Sequence, residues 1–378
     1  MSKCSAMVLV LVAFAASCVI TFVPVQAESR TVVVPDDYST IVAAVDNAKD
    51  GDTVFVKKGT YEEHSLIINK TLALMGEDKS KTVINDIDPL TLSYETYIPT
   101  ESANIRFAAD NIKITGFTLT GGARGIEGKG DRTQIIDNII LAQVVLEGSN
   151  QTITQNSIER GVLCIGSQNN IMENEFVGTS CSGIGLDGSH NVVYDNVIID
   201  GGGIAWTGDS NIIAKNNITG LFATIHTKGS DNLVCANRVI NGSGIAAAGF
   251  NNVFYANHIE SNRKGAQIGD LTGERSRPRT DNTTLYHNNF VNNEIQVWTD
   301  YPVYGTDYFD NGEEGNYWSD YNGSDMNHDG IGDTPYIIDA GRRDNFPVMV
   351  PFDVGSVAGF LFNSCRRYLI LQCSHIFG

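Results

Sequence analysis

The sequence predicts an all-β fold, a single-stranded parallel β-helix in which each short coil of strands, here called a rung, stacks on the one before it. Three patterns support this prediction. A phrase with an Asn and an apolar residue two places later recurs at steps of 18, 18, 22, 20, 21, 20 and 31 residues, with its Asn at Asn138, Asn156, Asn174, Asn196, Asn216, Asn237, Asn257 and Asn288. A second Asn stands five or six residues earlier, at Asn150, Asn169, Asn191, Asn211, Asn232, Asn252 and Asn282. An aliphatic residue follows each phrase, at Ile126, Val144, Val162, Ile184, Ile204, Ile225, Ile245 and Ile295, with Ala266 as the weakest member.

A period near twenty without helix formers is typical of a β-solenoid. We expect the aliphatic column to point inward, because each member then stacks on its equivalent one rung away, about 4.8 Å along the axis. Asn at a turn tolerates left-handed backbone angles, and stacked amides can form hydrogen bonds from rung to rung. These columns therefore predict where the core lies.

Residues 1–27 have the features of an export signal. Lys3 supplies the positive end, residues 7–25 are almost wholly apolar, and Val25-Gln26-Ala27 fits a small-residue cleavage site. The alternative is an uncleaved anchor helix, since the nineteen residues 7–25 are just long enough to span a bilayer. Both interpretations predict a secreted or cell-surface protein.

The composition is acidic and rich in glycine. A net charge of -18, with 38 Gly and 19% charged residues, argues against nucleic acid as a partner. Five cysteines follow the signal, namely Cys164, Cys181, Cys235, Cys365 and Cys373. The rung alignment places Cys164 in an inward column with Leu186 and Cys181 in a turn, so a disulfide framework is not indicated.

The segment 31–86 predicts an N-terminal cap and the first rungs. Asp36, Asp37 and Ser39 provide a helix start signal, and residues 38–48 carry apolar residues at helical spacing. A short amphipathic helix there would close the open end of the solenoid, as solenoids require. Two later segments, 88–102 and 271–281, break the repeat and predict loops that project from the rungs.

The C-terminal part of the chain divides into a cap and a tail. Asn316, Tyr317, Trp318 and Tyr321 are expected to cover the last open rung. Beyond residue 352 the sequence is apolar but interrupted by two arginines, which makes it too broken for a clear membrane span. A peripheral membrane anchor, a packed terminal segment and an ill-ordered tail all stay open for it.

The repeats, the opening segment and the ending Gly315-Asn316-Tyr317-Trp318-Ser319-Asp320-Tyr321 resemble the right-handed parallel β-helix proteins of the NosD-like, or carbohydrate-binding and sugar hydrolysis, type. The resemblance covers roughly residues 31–352 and implies a right-handed, pectin-lyase-like architecture. That architecture hosts lyases, hydrolases, esterases, epimerases and pure binding proteins, so it implies no single activity. The predicted organisation is a signal peptide at 1–27, a β-helix with its N-terminal cap at 28–314, a C-terminal cap at 315–352 and a tail at 353–378.

The sharpest local motif lies within the C-terminal cap. Oxygen ligands for a hard cation are expected from the side chains of Asp325, Asn327, Asp329 and Asp333 and from the carbonyl of Ile331. Tyr336 stands where an EF-hand has its bidentate Glu, so that module is excluded, and the loop resembles dockerin-type and thrombospondin-type-3 calcium loops. We therefore predict a structural Ca²⁺ ion, against the alternative of an Asx-turn loop without metal.

Catalytic residues are harder to find. The outward column next to the aliphatic one is expected to contain Glu127, Val145, Leu163, Gly185, Ala205, His226, Ala246, Gln267 and Gln296. The following column is expected to contain Lys129, Glu147, Asp187, Thr207, Lys228 and Trp298. The candidates are Glu147, Asp187, His226 and Lys228. Two rungs, about 9.6 Å, would separate the two carboxylates, which is near the upper limit for an inverting glycosidase.

The resemblance to NosD also suggests a role in copper-site maturation. Copper sites need His, Met and Cys side chains close together, whereas His190, His226, His258 and His287 fall at different phases of the rung. The sequence therefore predicts a carbohydrate-binding or surface-structural protein, with an extracellular or cell-surface glycan as its partner. A polysaccharide lyase or glycoside hydrolase is the first alternative, and a scaffold for copper-site maturation is the second. The membrane would be reached only through an uncleaved signal or the tail.

Overall fold

The computed structural model describes residues 29–87, 102–178, 183–269, 282–299 and 306–355. Within these ranges the chain winds through three parallel sheets in turn, and each sheet receives one strand from each rung. The fold is the predicted right-handed parallel β-helix. The same residues contain no helix both long and apolar enough to cross a membrane.

Sheet 1 has twelve strands in the described part of the chain, which are Thr31–Val34, Thr53–Val56, Ala73–Gly76, Lys113–Thr115, Gln134–Ile136, Thr152–Thr154, Asn170–Met172, Val192–Tyr194, Ile212–Ala214, Leu233–Cys235, Val253–Tyr255 and Thr284–Tyr286. Sheet 2 has twelve in the same ranges, which are Gly59–Glu63, Thr82–Asp86, Thr118–Thr120, Ile139–Ile140, Ser157–Ile158, Glu175–Val177, Val197–Ile199, Asn217–Thr219, Arg238–Ile240, His258–Glu260, Asn289–Val291 and Tyr317–Trp318. Sheet 3 has eleven there, which are Leu66–Ile68, Ala103–Ala108, Arg124–Lys129, Gln143–Glu147, Val162–Ile165, Gly183–Asp187, Gly203–Thr207, Thr224–Lys228, Gly244–Ala248, Lys264–Ile268 and Ile295–Thr299. A short antiparallel pair, Tyr336–Ile337 with Arg343–Asp344, lies in the C-terminal cap.

The predicted aliphatic column forms the inner face of sheet 3. From Ile126 to Ala266 its members are direct partners on neighbouring strands, and all are buried. The prediction is wrong at the last rung, where Val297 and not Ile295 pairs with Ala266. Ile295 is instead 39% exposed. Both residues are aliphatic and stand two places apart, so the period-2 pattern of a strand cannot separate them.

The recurring Asn residues form a buried ladder that runs along the helix. Asn138, Asn156, Asn174, Asn196, Asn216, Asn237, Asn257 and Asn288 each donate their backbone N–H to the next side-chain oxygen, and Asn316 continues the series into the cap. The left-handed residue is the one before each Asn, with φ between 52° and 62°, and not the Asn itself. The ladder thus satisfies buried donors where the chain turns from sheet 1 to sheet 2.

A second ladder connects Asn169, Asn191, Asn211, Asn232 and Asn252, as predicted. Its first member is Gln151, whose backbone N–H donates to Asn169 Oδ1. Asn150 and Asn282 are displaced by one residue from the predicted column and have left-handed backbone angles, with φ of 59° and 58°. Their side chains therefore stand at the turn and outside the ladder.

The N-terminal cap contains the predicted helix, Ile41–Asn47. Its first turn is capped by Thr40, whose hydroxyl accepts from Ala43 N–H. The helix therefore begins two residues after Ser39, the last residue of the predicted start signal. Ile41, Ala44 and Val45 are buried against the first rungs. An apolar helical face therefore covers the open end of the β-helix.

The C-terminal cap closes the other end with aromatic side chains. Trp318 stacks between Phe290, at a centroid distance of 4.5 Å, and Tyr336, at 4.3 Å. The buried Asp344 accepts hydrogen bonds from Trp318 Nε1 at 2.8 Å and from Asn316 N–H at 2.7 Å. The predicted covering role of Trp318 is confirmed by its 1% exposure.

Several predictions lie outside the described residues. These are the export signal, the two projecting loops apart from Ser102, three of the cysteines and the tail beyond residue 355. Cys164 and Cys235 are described, and both are buried thiols. Cys164 is the partner of Leu186 on the inner face of sheet 3, as predicted.

Candidate functional site

The outer face of sheet 3 carries acidic, aromatic and small side chains. The column next to the aliphatic one consists of Glu127, Val145, Leu163, Gly185, Ala205, His226, Ala246, Gln267 and Trp298. Trp298 therefore stands in the first outward column, and not in the second as predicted. Gln296 leaves this column, because the register shift that displaces Ile295 moves it as well. Gln296 is buried, and its amide nitrogen donates to Asp320.

The middle of this face has a floor of small side chains. Gly185, Ala205 and Ala246 lie in one column, and Gly183 and Gly203 lie at the start of the same strands. Each strand of a β-helix is held by its neighbours above and below, so the sheet continues through these small residues. We call these five residues the small-residue floor.

His226 stands between Ala205 and Ala246 on this floor. Burial, together with the positive charge of Lys228, lowers the pKa of the His226 imidazole, so the ring is neutral at pH 7. Its Nε2 atom is buried without a hydrogen-bond partner. A buried polar atom without a partner is costly, and the ring has to turn outward before a ligand on the floor can bond to it.

The four catalytic candidates do not converge. Asp187 is separated from Glu147 by Ile165 and from Lys228 by Thr207, so each step is two rungs, about 9.6 Å. Glu147 forms an ion pair with Lys129 at 2.8 Å. The candidates thus extend over four rungs, about 19 Å, and within the described residues they form no acid and base pair around a single bond.

The outward column ends at Trp298, two rungs beyond the small-residue floor. The indole is 43% exposed, and Lys264 Nζ lies 4.7 Å from its ring centroid. Lys264 also donates to Gln267 Oε1 at 2.9 Å. A cavity of about 290 Å³ lies between this last rung and the cap, lined by Asn293, Glu294, Ile295, Gln296, Val297, Asp320, Tyr336, Ile337 and Ile338. An exposed aromatic beside polar groups is a surface that sugars and other amphipathic ligands can use.

The predicted calcium loop is closed by its own carboxylates. Asp325 accepts from the backbone N–H groups of Asp329 and Gly330, at 3.2 and 3.0 Å. Asp333 accepts from Met326 N–H at 2.9 Å, and Asn327 donates to Asp329 at 2.8 Å. Among the described residues no group of three or more His, Cys, Asp or Glu side chains is close enough to hold a metal ion. Binding of an ion here would therefore require these oxygens to turn toward a common centre.

Comparison with known proteins gives the family. The family model described as periplasmic copper-binding protein (NosD) matches residues 125–323, which is more than half of the chain. The chain belongs to the NosD family. The periplasmic description of the NosD family agrees with an extracytoplasmic location. No curated protein matches the chain in sequence.

Solved structures with a fold similar to this NosD family member include carbohydrate-active enzymes. The alginate lyase AlyF-OU02 is 12% identical, with 71% of this chain and 80% of that chain covered and a TM-score of 0.44. The mannuronan C-5 epimerase A-module of Azotobacter vinelandii is 14% identical, with 72% and 94% covered and a TM-score of 0.41. The catalytic domain of an α-1,3-glucanase in complex with nigerose is 11% identical, with 77% and 69% covered and a TM-score of 0.40. These similarities concern the fold alone.

The soft metal ligands of this NosD family member are dispersed. His226 lies on sheet 3, His258 on sheet 2, and His287 immediately after the last strand of sheet 1. Met172 and Cys235 share a column on sheet 1, but three rungs, about 14 Å, separate them. Copper is held by such groups at bonding distance, so the described residues do not form a copper site.

Proposed function

We propose that this NosD family member is an extracytoplasmic β-helix protein that binds a glycan along the outer face of sheet 3. The observation that carries the proposal is the small-residue floor, with the neutral His226 between Ala205 and Ala246 and the exposed Trp298 two rungs beyond. A sugar ring has an apolar C–H face that packs on an indole and hydroxyl groups that pair with buried polar atoms. The net charge of -18 favours a neutral glycan over a polyanion, because like charges repel.

A glycan array followed by calorimetry tests this proposal. We expect Trp298→Ala to weaken binding of the best glycan at least tenfold, and Ala205→Arg to abolish it because the long side chain fills the floor. Tyr308→Ala is the matched control for the first variant, since Tyr308 is 45% exposed and pairs with sheet 1. Thr152→Arg, on the outer face of sheet 1, is the control for the second. The proposal fails if no glycan binds, or if each control weakens binding as much as its test variant.

Polysaccharide cleavage is the alternative use of the same face. Lyase and glycosidase assays on pectin, alginate and xylan distinguish the two, and we expect no turnover, since the charged candidates stand two or more rungs apart. Reproducible product formation that is lost in Asp187→Asn would replace the binding proposal with an enzymatic one.

Copper binding is a second candidate function, because the NosD family is described as periplasmic copper-binding. The described His, Cys and Met side chains do not fit a copper centre, so we derive no step through the metal. Titration with Cu(I) and Cu(II) in the presence of a competing chelator tests this candidate independently of glycans. Stoichiometric copper binding that removes no glycan affinity would add a function to the protein, whereas loss of glycan binding with copper bound would indicate a shared site.

We also propose that the loop from Asp325 to Asp333 binds Ca²⁺ as a structural ion. Its side-chain oxygens are of the type that calcium prefers, and each carboxylate oxygen that accepts one N–H keeps a further lone pair. The loop also lies beside the aromatic cap, since Tyr321 donates to the carbonyl of Thr334 at 2.6 Å. An ion there would stabilise the cap and take no part in chemistry.

A further inference from the structure

The three sheets end differently at the C-terminal end of the β-helix. The last strand of sheet 1, Thr284–Tyr286, is continued by a parallel bridge to Tyr308. The last strand of sheet 2, Tyr317–Trp318, is continued by a bridge to Val348. Sheet 3 ends at Ile295–Thr299, and within the described residues no further strand pairs with this one. Sheet 3 therefore has an open edge at this end of the molecule.

Two residues of the last strand direct their backbone groups toward the open side. Glu294 donates its N–H back to the carbonyl of Asn262, one rung earlier. Successive residues of a strand direct these groups to opposite sides, so Ile295 and Val297 direct theirs away from that rung. In the described part of the chain no backbone group of another element bonds to them. Proline or charged side chains usually protect an edge strand, and this strand contains neither.

A cavity of about 290 Å³ borders this edge, and we call it the edge pocket. Ile295 and Val297 line it on one side, and Ile337 and Ile338 of the cap line it on the other. Ile295 is 39% exposed and Ile337 is 64% exposed, although both are large apolar residues. The cap is fixed to the C-terminal end of the strand, where the Thr299 hydroxyl donates to a cap carboxylate at 2.7 Å. The pocket is thus open beside the first half of the strand.

The edge pocket is acidic. Glu294 and Asp320 line it, and no cationic side chain of the described residues does so. Asp320 is held in place by Gln296, whose amide donates at 2.9 Å, and by Tyr336, whose hydroxyl donates at 3.1 Å. Within the described residues neither carboxylate forms an ion pair, in contrast to the other acidic groups of the cap. A cationic group is therefore the charge complement of this pocket.

The charge and the edge together select the class of ligand. Two copies of the chain that joined their edges about a twofold axis would bring two sets of Glu294 and Asp320 together, and each chain has a net charge of -18. A neutral glycan has neither a cationic group nor a regular row of backbone amides. An extended polypeptide with a basic side chain has both.

We propose that the open edge of sheet 3 binds an extended polypeptide segment of another protein by β-strand addition. The segment forms backbone hydrogen bonds with Ile295 and Val297 and places a Lys or Arg side chain beside Glu294 and Asp320. Its apolar side chains pack on Ile337 and cover the apolar wall of the edge pocket. The segment uses the edge of sheet 3, whereas the proposed glycan uses the outer face, so the two proposals do not depend on each other.

Synthetic peptides test the proposal on the full chain. The parent probe is acetyl-Thr-Val-Thr-Lys-Thr-Val-Thr-amide, whose Lys and Val side chains lie on one face of an extended strand. Calorimetry should show that replacement of this Lys by Glu weakens binding at least tenfold. Two further peptides carry N-methyl groups at the odd or at the even positions, which removes the backbone donors on one side and keeps every side chain.

Only one set of backbone donors faces the edge of sheet 3. One methylated peptide should therefore lose at least tenfold in affinity, and the other should bind like the parent. The proposal is overturned if the parent peptide does not bind, or if the two methylated peptides bind equally.

Variants of the chain locate the site. Val297→Pro removes an N–H of the open edge, where proline is tolerated, and should weaken binding of the parent peptide at least tenfold relative to Val297→Ala. Glu294→Gln with Asp320→Asn should remove the preference for Lys over Glu in the peptide. Glu313→Gln with Asp46→Asn, which changes two exposed carboxylates elsewhere, should preserve that preference. Equal binding by the proline and alanine variants would contradict the proposal.

Other occupants of the edge give different results. A dimer that dissociates in Val297→Pro but not in Val297→Ala would assign the edge to a second copy of the chain. Binding of cadaverine that displaces the parent peptide, together with equal affinity of the two methylated peptides, would assign the edge pocket to a small cation. Either result would overturn β-strand addition by a partner protein.

Discussion

The middle rungs and the C-terminal cap both bury polar backbone groups, but they do so with different partners. In the middle rungs each buried Asn repeats the hydrogen bonds of the Asn one rung away, so one side-chain type serves every turn. In the cap a single carboxylate, Asp344, accepts from Asn316, Trp318 and Phe346, and no repeat of it exists within the described residues. Loss of one Asn removes one of many equivalent sets of hydrogen bonds along the rungs, whereas loss of Asp344 removes three hydrogen bonds of the cap at once.

The largest effect is expected in the core of the middle rungs. Ile204→Asp places a charge in the aliphatic column between Ile184 and Ile225, and should cost about 4 kcal/mol or more of unfolding free energy. Urea unfolding measures it. Ala205→Asp is the matched control, because the adjacent residue points outward, and its cost should stay near 0.5 kcal/mol. Equal costs at the two positions would show that the register of sheet 3 is wrong.

A smaller effect is expected from the Asn ladder. Asn196→Ala removes an acceptor from the N–H and amide of Asn174 and a donor to Asn216, and should cost about 3 kcal/mol. Thermal unfolding compares it with Asn322→Ala, which changes an exposed Asn of the C-terminal cap that is not part of the ladder. A cost below that of the control would mean that the ladder adds no stability.

The cap is expected to respond to pH. Burial raises the pKa of Asp344 to about 6, and the N–H donors of Asn316, Trp318 and Phe346 oppose this only in part. Because the folded state then binds a proton more tightly than the unfolded one, whose pKa is near 3.8, the Asp344 contribution to stability falls as pH rises from about 4 to about 6 and is constant above that.

Asp344→Asn tests this dependence, because it removes the titrating group. Urea midpoints measured from pH 4 to pH 8 should give a difference between wild type and variant that changes only below about pH 6. Asp46→Asn, on the exposed side of the N-terminal helix, is the control and should give a constant difference. A difference that does not change with pH would show that Asp344 titrates normally.

The smallest effect is expected from calcium. Millimolar Ca²⁺ should stabilise the cap by about 1 kcal/mol through binding to the folded loop, with Mg²⁺ less effective because it demands a tighter octahedral shell. Asp325→Ala with Asp329→Ala should abolish this shift in melting temperature, and Asp46→Ala should preserve it. If calorimetry detects no Ca²⁺ binding and a chelator leaves the wild-type melting curve unchanged, the loop is a turn without metal.

The sequence by itself determined the repeating part of this protein. The inward column from Ile126 to Ala266 and the Asn ladder follow from a period of about twenty residues, since each rung meets only its neighbours and repeats their pattern. The N-terminal helix follows from apolar residues at helical spacing, which is also a local property. NosD family membership rests on the same repeats.

Only the tertiary structure decided the features that depend on phase or on distant partners. After the 31-residue step, either Ile295 or Val297 could continue the aliphatic column, because the two stand two places apart. In the structure Val297 pairs with Ala266, and Trp298 therefore pairs with Gln267. The hydrogen bond from Trp318 to Asp344 joins residues that lie 26 positions apart and do not belong to a common repeat. Cys235 is likewise buried although it lies on an outer face, which the period-2 alternation of its own strand does not predict. Local periodicity specifies which residues face inward, but side-chain packing between rungs and caps decides what each outer face can bind.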